Sequence, residues 1–104
     1  MTKQKENNKE LKCVWILTHS WADRFGDDAD EPKAFMQEEN AKRVFNELVD
    51  GYKAERPLFD GVYVQDIVVE EDEAEDVLDF YAYVEGCADI YNIHVNLRRC
   101  IIQD

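Results

Sequence analysis

The hydrophobic positions of this chain change their spacing several times, and each change predicts an element. From Cys13 to His19 the run CVWILTH is dense in β-branched and aromatic residues and apolar on both alternating faces. That pattern predicts a strand in the middle of a sheet covered on both sides. The next stretch, SWADRFGDDADEPK, is rich in Asp, is punctuated by Gly26 and Pro32 and has no period, so a surface loop is expected, followed by a short extended piece at Lys33 to Met36. In QEENAKRVFNELVDGY the residues Ala41, Val44, Phe45, Leu48, Val49 and Tyr52 recur at spacings of three and four, with Glu, Lys, Arg, Asn and Asp opposite them. This is an amphipathic helix, with Glu38 and Glu39 at its positive end and Gly51 near its C-terminal end.

After KAERPLFD, the segment GVYVQDIVV is again rich in strand formers and runs into EEDEAED, Glu70 to Asp76, which is expected to be an acidic loop. Leu78, Phe80, Ala82 and Val84 then alternate with Asp79, Tyr81, Tyr83 and Glu85, and Tyr91, Ile93, Val95 and Leu97 alternate with Asn92, His94, Asn96 and Arg98. Two strands of period two, joined by a turn at Gly86 to Asp89, predict a long C-terminal hairpin. The expectation is an α+β fold in which one main amphipathic helix packs on a mostly antiparallel sheet of four to five strands. Residues 1 to 11, polar and without period, are expected to be a flexible tail, and residues 12 to 104 a single domain of ordinary size.

Charge changes this picture more than any motif does. Twelve basic residues against 24 acidic ones leave a formal net charge of −12. Residues 1 to 12 hold four lysines and two glutamates, a net of +2, so the remaining 92 residues carry −14. An acidic body of this kind repels phosphates and anionic lipid heads and associates quickly with basic protein surfaces. Direct binding of nucleic acid or of a membrane is therefore not expected. No segment approaches the roughly 18 to 20 apolar residues that span a bilayer, and the polar N-terminus lacks the apolar core of a signal peptide, so a cytoplasmic location is expected.

The chemistry of catalysis finds little to hold. The histidines, His19 and His94, have no nucleophile motif around them, and Ser20 and Asp23 are near His19 only in sequence. Gly26, Gly51, Gly61 and Gly86 are scattered, which excludes a glycine-rich phosphate loop. Cys13, Cys87 and Cys100 show neither zinc-ligand nor disulfide-framework spacing and are expected to be buried free thiols. Asp23, Asp27, Asp28, Asp30 and Glu31 crowd hard oxygen donors together, but the order departs from an EF-hand, so neither a metal nor another cofactor is expected.

Two acidic groups remain as candidate partner-binding residues: Asp27, Asp28, Asp30 and Glu31, and Glu70, Glu71, Asp72, Glu73, Glu75 and Asp76. Such runs often serve solubility alone. The functional expectation is that, together with Asp79, Glu85 and Asp89, they imitate the phosphates of a nucleic acid and enter a Lys/Arg-lined groove of a nucleic-acid-handling protein. Tyr81, Tyr83 and Trp21 are the candidate anchors beside them. The alternative is a homodimer or larger homo-oligomer, paired through an exposed strand edge, whose acidity only keeps it in solution.

The layout VWILTH, an Asp-rich loop, then KAFMQEENAKRVFNELV with Glu39, Ala41 and Lys42 at the helix opening, resembles a group of small uncharacterised phage and bacterial proteins over residues 12 to 50. In size, acidity and lack of enzymatic motifs the chain is similar to the anti-CRISPR and anti-restriction proteins with which phages inhibit host nucleases. That resemblance implies a non-enzymatic inhibitor acting in the host cytoplasm, and it carries over no functional residues.

Overall fold

The computed structural model describes residues 12–103. Its elements are β1 (Cys13–Asp23), β2 (Gly26–Ala29), β3 (Lys33–Phe35), α1 (Glu38–Ala54), a single 3₁₀ turn (Val64–Asp66), β4 (Ile67–Ala74), β5 (Val77–Val84) and β6 (Asn92–Ile101). The six strands form one antiparallel sheet in the order β2-β1-β6-β5-β4, with β3 beside β1 on the same edge as β2. The expected α+β class, the single main helix and the C-terminal hairpin β5–β6 are all present. The expected tail at residues 1 to 11 lies outside the described residues.

Helix α1 forms where Ala41, Phe45 and Val49 recur every fourth residue, and these three are its buried positions. Lys42 pairs with Glu38 at 2.7 Å and Arg43 with Glu47 at 3.3 Å on the solvent side. The helix ends at Ala54, with Gly51 in its last turn as expected; the amide of Glu55 closes onto the carbonyls of Gly51 and Tyr52. Pro57 then supplies the stop, because the residue before a proline is pushed out of helical geometry.

The core lies between α1 and one face of the sheet. Trp15 and Leu17 of β1, Ile93, Val95 and Leu97 of β6, and Leu78, Phe80, Ala82 and Val84 of β5 meet Ala41, Phe45 and Val49, with Ile67 and Phe59 closing one end. Phe80, Leu97 and Val95 are the largest side chains buried outright, each contributing about 1.5–3 kcal/mol by leaving water. α1 packs over β6, β1 and β3. The β4 edge therefore projects beyond the helix, and that overhang positions the site described below.

Five expectations need correction. β1 is covered on one face only, and Val14 and Ile16 are half-buried on the other, open face. The Asp-rich segment is not wholly a loop: β1 runs on to Asp23, and Gly26–Ala29 returns along it as β2, pairing Ser20 with Ala29 and Asp23 with Gly26. The turn is built by Asp23, whose Oδ1 accepts the Phe25 amide at 2.8 Å, and by Gly26 at φ 136, a conformation open to glycine. The acidic run is not a loop either, since Glu70–Ala74 is strand, while the expected strand residues Gly61–Asp66 form turns. Cys13, Cys87 and Cys100 are free but only half-buried. Among the described residues no helix is long and apolar enough to cross a membrane.

Candidate protein-binding surface

The two acidic groups lie on opposite edges of the sheet. β2, with Asp27 and Asp28, pairs with the last residues of β1, while Ala74, at the far end of β4, pairs with Val77 across the β4–β5 turn. Four strand spacings separate these edges, about 19 Å. The candidate carboxylates are therefore divided between two edges of the sheet.

At the β2 corner the carboxylates organise the chain itself. Asp28 Oδ1 accepts the Ala29 amide at 2.8 Å, and Asp30 Oδ2 accepts from His19 Nδ1 at 2.9 Å. The backbone joins in, as the Asp30 amide donates to the His19 carbonyl at 2.9 Å. Glu31 is exposed between β2 and β3. Asp27, Asp28 and Asp89 border a shallow depression of about 390 Å³ that also touches Ser20, Ala22 and Asn92.

On β4, the register fixes which carboxylate faces where. Glu71 and Glu73 oppose Phe80 and Leu78 and so point to the helix side, while Glu70 and Asp72 oppose Tyr81 and Asp79 on the open face. Acids are tolerated on the helix side because α1 does not cover this edge, leaving all four exposed. Lys53 of α1 leans across to Glu71 at 2.8 Å, and Arg99 pairs with Asp76 at 3.1 Å. Glu75 and Asp76 form the turn into β5. Between α1 and β4 runs a groove of about 480 Å³, floored by Phe45, Val49 and Leu78 and walled by Lys42, Asp50, Lys53, Glu71 and Glu73.

Tyr81 and Tyr83 stand on the open face beside this acidic strand, away from the helix. Their rings are 4.9 Å apart, and the Tyr83 hydroxyl donates to Glu70 at 3.1 Å. That hydrogen bond, with some desolvation and the charges of Glu70 and Glu85, pushes the Tyr83 phenol above its ordinary value. Across the strand, Asp79 accepts from His94 Nε2 at 2.7 Å and from Asn96 at 2.8 Å, and His94 meets Tyr81 edge-on. Trp21 is different: it lies on the helix side against the core, 4.8 Å from the His19 ring, which removes it from the candidate anchors.

Sequence reasoning missed the network around His19. His19 faces the helix from β1, and its Nε2 meets the Tyr52 hydroxyl at 2.7 Å, while Nδ1 meets Asp30. A carboxylate only accepts, so Nδ1 carries the proton; in the neutral ring Nε2 then accepts from Tyr52. Burial, then the charges of Asp30 and Glu55, push the Tyr52 phenol upward. The only signal in the sequence is that both His19 and Tyr52 fall on the inward phase of their elements; their meeting across 33 positions is tertiary.

Among the described residues no group of three or more His, Cys, Asp or Glu is arranged to hold a metal ion. No family model matches the chain, and no curated protein or solved structure matches it.

Proposed function

We propose that this protein is a non-enzymatic binding protein whose acidic β4 edge covers the basic surface of a nucleic-acid-handling partner, acting as an inhibitor of the anti-CRISPR type on a nuclease. The observation that carries this reading is the linear density of charge on β4. Glu70, Glu71, Asp72 and Glu73 follow one another in an extended strand, exposed on both faces. A strand advances about 3.3 Å per residue, and a single nucleic acid strand in a duplex presents one phosphate per about 3.4 Å of axis. Successive carboxylates alternate between the two faces, so either face alone offers one charge per about 6.6 Å. A groove that wraps the edge and contacts both faces meets a similar charge density, on a sheet whose strand is already ordered before binding. Tyr81 and Tyr83 offer flat amphipathic surface beside the charges, the residue type that anchors interfaces.

The test is capture from bacterial lysate with the full-length chain as bait, washed with rising salt and compared with the variant E70K/E71K/D72K/E73K. Nucleic-acid-handling proteins retained by the native chain, released by added DNA and lost by the variant are the expected outcome. The same proteins on both baits, or none with a basic surface, would overturn the reading.

A further inference from the structure

Resting on that reading, we infer that β4 takes up an extended Lys/Arg-rich segment of its partner as an additional strand of the sheet, main chain to main chain. Among the described residues β4 pairs with β5 alone, so one side of it is an open edge. The pairing phase identifies which groups face that edge. The Glu85 amide donates to the Asp66 carbonyl at 3.0 Å, and the Val84 amide turns the other way, to Tyr91. Alternation along an antiparallel ladder then directs the amides and carbonyls of Ile67, Val69, Glu71 and Glu73 outward. This is the row of donors and acceptors that strand addition uses.

The side chains select the occupant. A strand laid on this edge has Glu70 and Asp72 beside its residues on the open face, and Glu71 and Glu73 beside those on the helix side. Opposite charges in adjacent strands stabilise and like charges oppose. A second copy of β4 would bring acids against acids, which opposes an edge-paired homodimer at this strand. The groove between α1 and β4 adds a further reason for long basic side chains. An aliphatic stem reaching back over β4 meets Phe45, Val49 and Leu78, and its cationic head meets Glu71, Glu73 and Asp50. Val69, 36% exposed on the helix side, extends the apolar strip. The opposite edge offers no equivalent, because it is split into β2 and β3 around Pro32, which has no amide hydrogen to donate.

The experiment uses the full-length chain and a synthetic peptide matching the eight residues of β4 in length and alternating lysine with valine. A second peptide of equal charge is N-methylated at every amide, so that neither of its edges can donate to a ladder. The first peptide is expected to bind in a fluorescence anisotropy titration and to slow backbone amide exchange at Val69, Glu71 and Glu73. The N-methylated one is expected to bind roughly tenfold more weakly or worse, the consequence of losing a few main-chain hydrogen bonds. Equal binding of both peptides would overturn strand addition while leaving the acidic-surface reading, which the lysate capture tests separately, intact. Binding of neither would also overturn it. Slow exchange at these amides without peptide that deepens with protein concentration would assign the edge to a second copy. Slow exchange abolished by K3E/K5E/K9E would assign it to this chain's own N-terminal segment. Either result displaces the partner strand.

Discussion

Carboxylates gather at both edges of this sheet, and the two gatherings relate to the fold in different ways. At the β2 corner, Asp23, Asp28 and Asp30 each accept a hydrogen bond that shapes the chain: a turn amide, a strand-end amide and the His19 ring. On β4, Glu70 to Glu73 stand on a strand held by its pairing with β5, and their side chains lean outward to Tyr83 and Lys53 or to solvent. The contrast teaches that acidic composition has two physical uses here. A carboxylate near unsatisfied amides is structural; a carboxylate on a strand that the helix does not cover stays exposed.

The comparison is sharpened first by the change with the largest expected effect. His19→Ala removes a ring that is 10% exposed and abandons both Asp30 and Tyr52, so a loss of about 2–3 kcal/mol is expected in urea unfolding. Asp30→Ala leaves the His19 N–H without its acceptor and is expected to cost about 1–2 kcal/mol by the same measurement. Tyr52→Phe forfeits one hydrogen bond, about 1 kcal/mol, and has a distinctive pH signature. Because the folded phenol sits above its ordinary value of 10.0, the neutral form favours the fold. That contribution is complete below pH 10 and is lost as pH rises through the folded value. Melting temperature should therefore fall less steeply above pH 10 in Tyr52→Phe than in the native chain.

The smallest stability effect is expected for E70Q/E71Q/D72N/E73Q, within about 0.5 kcal/mol of the native chain, since exposed surface charges contribute little to folding. Its effect belongs to association, where the rate of capture of a basic partner should drop and lose its salt dependence. A β4 variant as destabilised as His19→Ala would break the comparison and make the acidic strand structural.

The periodicity of the chain by itself determined the α+β class, α1, and the pairing of β5 with β6, because alternation in Leu78 to Val84 and Ile93 to Leu97 and the three-four spacing in Ala41 to Val49 each report burial on one side of one element. The same alternation placed Tyr81 and Tyr83 on one face. The strand state of Gly26–Ala29 and Glu70–Ala74 was decided by tertiary structure. Those residues have poor strand propensity and bury nothing, and they are extended only because Ser20–Asp23 of β1 and Val77–Tyr81 of β5 offer them ladder partners. The separation of the acidic groups, the joining of His19 to Tyr52 and the open edge of β4 likewise follow from strand order. Strand order is set by which faces must share one helix, and no local pattern of residues carries that information.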